Sequence, residues 1–248
     1  MSQLEISISA EPIAHLGNFV VTNSMLTSVI GTALLLIFVF AANRSLKKSG
    51  KPSKFQSLVE FMVEALHNLV VGIAGPGKKT ALFAPFIVSF FLFIMFNNWI
   101  GLIPGVGTIG ITEAGKFVPI FRAATSDLNT TIALAIISVA VTQVFGFMFQ
   151  KVGYLKKYFN FSNPINFFLG ILELVLEFAK IISFAFRLFG NIFAGEVLIA
   201  VMMFLVPVIV PMPFYGLELF VGFIQALVFA LLSLVFFNMA AAGHEETE

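Results

Sequence analysis

Long apolar stretches alternate with short polar segments along this chain of 248 residues. A helix rises 1.5 Å per residue, so about 20 apolar residues cross the roughly 30 Å hydrocarbon layer of a membrane. Five stretches are long enough, and they cover residues 19–42, 81–103, 128–149, 167–206 and 214–242. Their apolar residues run continuously and do not alternate with polar ones, which predicts membrane-spanning helices rather than strands.

One further stretch, residues 55–74, has a different pattern. Gln56, Glu60, Glu64 and His67 are spaced so that they fall on one side of a helix, and most other positions are apolar. A narrow polar stripe on an apolar helix is typical of a helix that lies in the membrane interface or packs on other helices. We therefore interpret this stretch as an amphipathic interfacial helix and not as a span.

The stretch at residues 167–206 is too long for a simple span. Its 40 residues would form a helix of about 60 Å, twice the thickness of the hydrocarbon layer. Gly190 and Gly195 could bend or break it, but no proline occurs in it before Pro207. We favour one long, strongly inclined helix, paired with residues 214–242 as a hairpin, over two separate spans.

The composition agrees with a membrane protein. Only 11% of the residues are charged, the mean hydropathy is +1.01 and phenylalanine occurs 32 times, whereas a soluble domain has about 25% charged residues. We predict an all-α integral membrane protein with one membrane domain over residues 1–248, built from an N-terminal span, the interfacial helix, a hairpin of two spans and the inclined hairpin. Because cysteine is absent, neither a disulfide framework nor a thiolate metal site can form, and we expect no metal and no cofactor.

The basic residues predict how the chain is oriented. Ten of the 14 lysines and arginines lie in residues 43–54, 78–79 and 151–157, and loops rich in Lys and Arg stay in the cytoplasm. The N-terminus is then outside and the C-terminus cytoplasmic. The first 19 residues do not resemble a secretory signal or a presequence, so we expect a bacterial plasma (inner) membrane, with an organelle-encoded origin left open. The net charge of +1 argues against a nucleic-acid partner.

Three ionisable residues occupy the first half of the long stretch. Glu173, Glu177 and Lys180 share one face of a helix, and Glu177 can pair with Lys180 three positions later. We favour a structural ion pair or an interface anchor near the cytoplasmic end as their role.

Arg187 lies deeper in the same stretch. An arginine stays protonated in proteins, so it cannot relay protons, but its fixed charge can attract a carboxylate and repel other cations. Glu177 is ten residues away and Glu196 nine, so neither is a local partner on a helix, and we expect a partner from another helix or chain. Nine residues also place Glu196 about 180° from Arg187, so the two side chains serve different surfaces.

Polar residues also occur elsewhere in the last two stretches. Glu218 and Gln225 are seven residues apart and share one face of the final helix, and Asn191 lies one turn beyond Arg187. Carboxylates at membrane depth are typical of ion pathways. Alternatively, Glu196 and Glu218 extend to the outer interface, and Asn191 and Gln225 form hydrogen bonds that hold helices together.

Four segments of the chain resemble subunit a of the F-type ATP synthase. FRLFGNIFAGEVL at residues 186–198 is close to that family's signature. The segments at 95–104 (MFNNWIGLIP), 126–135 (SDLNTTIALA) and 222–236 (GFIQALVFALLSLVF) resemble the family in the same order. The resemblance covers roughly residues 80 to 240.

This resemblance implies a role for each matching residue. Arg187 would be the essential arginine that faces the carboxylate of the c subunit. The residues that would line or shape two aqueous half-channels are Glu196, Glu218, Asn191, Gln225 and Asn98. The implied partners are the ring of c subunits, the peripheral-stalk b subunits, the lipid bilayer and protons, with sodium left open. Acids and histidines exchange places in the family at the positions of Glu196 and Glu218, and both are Glu here.

The resemblance also implies a mechanism. A proton enters from outside, neutralises a c-subunit carboxylate and leaves to the cytoplasm after nearly a full turn of the ring, while Arg187 separates the two half-channels. The chain itself would do no nucleotide chemistry, since the GPGKKT segment at residues 75–80 lacks the spacing of a phosphate-binding loop. Two alternatives are a stand-alone ion-coupled transporter that binds a substrate anion at Arg187, and a structural scaffold.

Overall fold

The chain folds into a bundle of long helices. The computed structural model describes residues 10–17, 19–46, 53–103, 109–113, 116–151, 153–158, 163–206 and 209–242. The helices in these ranges are α1 (Asn23–Leu46), α2 (Lys54–Ala74), α3 (Lys78–Gly101), α4 (Leu128–Gln150), the short α5 (Gly153–Lys156), α6 (Pro164–Leu205) and α7 (Pro211–Ala242). Six of them are long and apolar enough to cross a membrane. The predicted class, an all-α integral membrane protein, is therefore confirmed.

Two short antiparallel hairpins accompany the helices. Strand β1 (Pro12–Leu16) pairs with β2 (Phe19–Thr22), and β3 (Gly110–Glu113) pairs with β4 (Lys116–Pro119). The first hairpin changes the predicted start of the N-terminal span. Residues 19–22 carry no charge and were expected to be helical, but their backbone pairs with β1, so α1 begins at Asn23.

Polar caps and prolines define where several helices begin. Ser53 accepts a hydrogen bond from the Gln56 backbone N–H at 3.1 Å at the start of α2, and Asp127 accepts one from the Asn129 N–H at 3.0 Å at the start of α4. Helix α6 begins with Pro164 at its first position, where the missing N–H costs nothing. It continues without a break for 42 residues, about 63 Å, so the long stretch is one helix and not two.

One end of the bundle carries the hairpins, and we call it the hairpin end. Helix α1 starts there, because Ser24 Oγ donates to Asp127 Oδ2 at 2.8 Å and the Asn23 side chain donates to the Pro119 carbonyl at 3.2 Å. Helix α3 finishes there, because Gly101 packs against Ala123. The start of α4, the end of α6 and the start of α7 lie at this end as well, because Asp127 caps α4, Arg122 contacts Glu196 of α6, and Trp99 of α3 donates to the Leu219 carbonyl of α7.

The opposite end, which we call the basic end, carries most of the described cations. Gln150 at the end of α4 donates to the Ala240 carbonyl of α7 at 2.6 Å, and Asn238 of α7 donates to the Ile73 carbonyl of α2 at 3.0 Å. The basic residues near these helix ends are Arg44, Lys54, Lys78, Lys79, Lys151, Lys156 and Lys157. Lys47, Lys48 and Lys51 and the two chain termini, residues 1–9 and 243–248, lie outside the described residues.

Helix α2 begins and ends at the basic end. It follows the end of α1, it finishes beside α7 near Asn238, and only residues 75–77 separate it from α3. Since α1 and α3 run in opposite directions, a chain that enters and leaves α2 at one end does not cross the bundle there. Its length and composition would permit a span, but this path favours the interfacial position that its polar stripe predicts.

The core lies where α7 packs against α3, α4 and α6. Phe83, Phe145 and Phe237 form an aromatic cluster with ring centres 4.8 to 5.8 Å apart, and Ser138 and Ser233 share a hydrogen bond of 2.7 Å between α4 and α7. In contrast, α1 and the first half of α6 expose large apolar side chains; Phe40, for example, is 68% exposed. Such surfaces suit lipid or another membrane subunit.

Candidate functional site

Two separate cavities open along helix α6. The larger one, of about 460 Å³, is at the basic end and extends up to Arg187, and Glu177 is among its walls. The smaller one, of about 220 Å³, is at the hairpin end, and its walls include Glu196 and Glu218. We call them the basic-end cavity and the hairpin-end cavity. Either cavity has room for several water molecules, which occupy about 30 Å³ each in the liquid.

A layer of apolar side chains separates the two cavities. Phe184, Leu188 and Ile192 follow one another on the same face of α6; Phe184 lines the basic-end cavity, Ile192 lines the hairpin-end cavity and Leu188 lines neither. Leu188 is only 1% exposed, and the Phe184 ring packs on the Phe229 ring of α7 with centres 4.8 Å apart. Water in one cavity therefore has no direct route to the other between these side chains.

Arg187 is at the inner limit of the basic-end cavity, next to this apolar layer. Its side chain is exposed, and its Nη2 donates to Ser183 Oγ at 3.2 Å. It forms no ion pair with any carboxylate of the described residues. A guanidinium at membrane depth with no carboxylate partner among the described residues is available to an anion of another molecule.

Glu196, nine residues further along α6, is paired with Arg122. The Arg122 Nε is 3.3 Å from Glu196 Oε2 and 3.0 Å from Ser126 Oγ, and the guanidinium lies 5.8 Å from the Phe193 ring centre. Arg122 is only 6% exposed, so its charge is compensated inside the protein. The Glu196 side chain is 36% exposed, and it lines the hairpin-end cavity.

Glu218 reaches the same cavity from helix α7. It is 5% exposed, and its carboxyl group lies directly against Gly195 of α6. A side chain on Gly195 would overlap with this carboxyl group. The glycine therefore creates the space in which two carboxylates, from α6 and α7, share one small cavity.

Asn98 of α3 completes the wall of the hairpin-end cavity. Its Nδ2 donates to the Gly222 carbonyl of α7 at 2.9 Å, and its Oδ1 accepts from Thr125 Oγ1 at 2.5 Å. Asn98 is buried, so it joins α3, α7 and the turn before α4 while also lining the cavity. Its position combines a structural role with a polar surface for the cavity.

The other two residues singled out from the sequence lie elsewhere. Asn191 is exposed on the same side of α6 as Arg187, and Gln225 is half-buried on α7. Neither makes a side-chain hydrogen bond within the described part of the chain, so neither acts as a link between helices there. Of the six predicted site residues, the hairpin-end cavity thus brings together Asn98, Glu196 and Glu218.

The three charged residues in the first half of α6 lie at the basic-end cavity. Lys180 Nζ is 2.7 Å from Glu177 Oε1, so the expected pair forms, and Glu173 pairs with Lys157. The Tyr158 hydroxyl donates to Glu177 Oε1 at 3.3 Å. Burial, followed by the hydrogen bond with Tyr154 and the Glu177 charge, raises the pKa of the Tyr158 hydroxyl, so it stays a neutral donor.

Arg122 is the site residue that sequence reasoning missed. The sequence places it in the loop between two spans, where a basic residue is unremarkable. One signal could have found it: Arg122 is the single charge within the run VPIFRAAT, directly before the SDLN segment. Its partner is 74 residues away, however, and no local spacing indicates that pair. In the described part of the chain, no group of three or more His, Asp or Glu side chains could hold a metal ion.

Comparison with known protein families gives a match over most of the chain. A family model described as ATP synthase A chain matches residues 25–238. The matched region includes all six long helices in whole or in large part, the whole lining of the hairpin-end cavity, most of the lining of the basic-end cavity, and Arg187. The chain therefore belongs to the ATP synthase A chain family, which makes it the multi-pass proton-channel subunit of the membrane sector of an ATP synthase.

Proposed function

We propose that the two cavities are the offset half-channels through which protons reach and leave the c-ring carboxylates. The observation that carries this proposal is the pair of cavities at opposite ends of α6, separated by Leu188 and with Arg187 beside the separation. A proton cannot cross such a barrier directly. A proton crosses only when it is bound to a c-ring carboxylate that moves from one cavity to the other. This requirement couples proton flow to rotation and so to ATP synthesis.

The hairpin-end cavity serves as the uptake half-channel. Glu196 and Glu218 accept protons there and pass them to the c-subunit carboxylate, and Asn98 provides a polar wall. Arg122 holds Glu196 in position through its 3.3 Å contact. Gln225 and Asn191 shape the route further inside, where the chain meets the ring.

Arg187 acts as the fixed charge between the half-channels. It attracts the c-subunit carboxylate once that group has lost its proton, and it cannot itself carry a proton across because it does not deprotonate. In the low-dielectric membrane interior such an attraction is strong at short range. The neutral, protonated carboxyl group can instead turn into the lipid, and this difference between charged and neutral forms gives the cycle its order.

The basic-end cavity serves as the release half-channel and opens to the cytoplasm. The lysines at this end follow the positive-inside rule, which puts the first residues of α1 outside and the end of α7 in the cytoplasm of a bacterial inner membrane. A membrane potential of 100 mV contributes about 2.3 kcal/mol per proton, which biases the rotation.

The chain works as a stator against its partners. The c-ring docks on the inclined face of α6 that exposes Arg187, the bilayer covers apolar surfaces such as that of α1, and the peripheral-stalk b subunits hold the chain in place. Protons are the transported ion, and the ion site of the c subunit decides between protons and sodium. A stand-alone transporter, the alternative from the sequence, would have no need for the c-ring of the family to which the chain belongs.

Replacement of both uptake carboxylates should slow proton flow. We expect the double variant Glu196→Gln with Glu218→Gln to lower passive proton conduction through the reconstituted membrane sector by at least about tenfold, since no carboxylate is left to relay protons there. The matched control, Glu60→Gln with Glu64→Gln, removes two exposed carboxylates of α2 and should conduct normally. An unchanged rate in the first variant would remove both residues from the pathway.

A further inference from the structure

The basic-end cavity contains a carboxylate whose environment differs from that of a simple ion pair. Glu177 Oε1 accepts two hydrogen bonds, one from Lys180 Nζ at 2.7 Å and one from the Tyr158 hydroxyl at 3.3 Å. Glu177 Oε2 is buried and receives no hydrogen bond from the described residues. A buried carboxylate oxygen without a donor is costly and uncommon in proteins, which makes it a candidate for a functional role.

The cavity offers Glu177 a route to Arg187. Glu177, Ser183 and Arg187 all line the same cavity of about 460 Å³. Ten residues of helix separate Glu177 from Arg187, which corresponds to about 15 Å. A short chain of water molecules spans that distance, and the Ser183 hydroxyl can join it as donor and acceptor.

The neighbours of Glu177 differ in what they can do with a proton. Lys180 provides a fixed positive charge, while burial keeps the hydroxyls of Tyr154 and Tyr158 protonated because it raises their pKa. Glu173 is engaged by Lys157 one turn nearer the basic end. The titratable groups around Glu177 are Lys180, Tyr154, Lys157 and Glu173, which line the cavity, and Tyr158, which contacts Glu177 directly.

We propose that Glu177 is the proton acceptor of the release half-channel. This inference rests on the proposed function and adds a named group to it. The O–H bond of the protonated c-subunit carboxyl group breaks near Arg187, the proton moves along the cavity water, and a new O–H bond forms on the Glu177 carboxylate. A second transfer returns the proton from Glu177 to water at the basic end, so Glu177 is a carboxylate again. Lys180 and Tyr158 hold Oε1 throughout and neither changes its proton count.

The test compares variants of the complete ATP synthase in vesicles. We expect Glu177→Gln to lower proton flow towards the basic end by at least about tenfold and to flatten its dependence on the pH of that side, because the amide cannot take up a proton. Glu177→Asp should restore much of the flow. Lys180→Met should shift the pH profile without flattening it. Glu64→Gln, which removes an exposed carboxylate of α2, is the control for loss of one negative charge.

Two outcomes would overturn the proposal. The first is a Glu177→Gln variant with normal flow and a normal pH profile. The second is equal loss in Glu177→Gln and Lys180→Met, with a matching fall in the Tm of both and no recovery in Glu177→Asp, which would mean that the pair is only structural. Arg187→Ala separates this inference from the proposed function. If Arg187→Ala fails to pump while Glu177→Gln pumps normally, only the role of Glu177 is lost; if Arg187→Ala pumps normally, the half-channel mechanism itself fails.

Discussion

Arg187→Ala should abolish ATP-driven proton pumping by the reconstituted complex. The guanidinium is the one charge of α6 that is exposed beside the apolar layer, and within the described residues no carboxylate pairs with it. Without it, nothing attracts the deprotonated c-subunit carboxylate, and no fixed positive charge repels a proton beside the apolar layer that separates the half-channels. Acidification of the vesicle interior, followed with a pH-sensitive dye, should fall to background while passive proton leak increases.

Two further variants sharpen that result. Arg187→Lys keeps the charge but loses the planar fork of donors, so we expect a strong reduction as well. Arg44→Ala removes an exposed arginine from the last turn of α1 and should pump normally. Normal pumping by Arg187→Ala in an assembled complex would support a scaffold role for the charges instead.

Gly195→Ala should have the second largest effect. The added methyl group would occupy the space of the Glu218 carboxyl group, so one of the two carboxylates of the uptake cavity must move. Both sides of this contact are buried, and overpacking of a buried site commonly costs about 1–3 kcal/mol. We expect pumping to fall at least about tenfold, a loss comparable to that of a positioned proton-transfer group.

The contact predicts how this loss can be relieved. Glu218→Asp shortens the side chain by one methylene group, so adding it to Gly195→Ala should recover part of the activity. Gly72→Ala is the control, because a side chain there would meet no other atom within 4 Å. If Gly195→Ala pumped as well as Gly72→Ala, the position of the Glu218 carboxyl group would not matter for uptake.

The helices were predictable because their apolar stretches are long and uninterrupted. The predicted stretch 128–149 became α4 (Leu128–Gln150), and the predicted stretch 167–206 became the single helix α6. The start of α1 was not predictable in this way. Residues 19–22 are apolar enough to extend a span, and only their pairing with β1 prevents it. Such short strands depend on contacts that local sequence does not encode.

The site was predictable only in part, and the reason is distance along the chain. Helical periodicity correctly separated Arg187 from Glu196, because both lie on one helix. The pairing of Glu196 with Arg122 joins residues 74 positions apart, and the contact between Gly195 and Glu218 depends on how α6 packs against α7. The family resemblance named the carboxylates, whereas only the packed structure identifies Arg122 and the buried Glu177 oxygen that receives no hydrogen bond from the described residues.

The most direct measurement is the side from which each cavity can be reached. The chain contains no cysteine, so single cysteines can be introduced without background from other positions of this chain. Ser183 lines the basic-end cavity, Ala200 lines the hairpin-end cavity and Leu188 lines neither, so we choose these three positions for single cysteines. With a membrane-impermeant thiol reagent, we predict labelling of Ser183→Cys only from the basic side, of Ala200→Cys only from the opposite side, and of Leu188→Cys from neither. Labelling of any one of these positions from both sides would contradict two half-channels separated at Leu188.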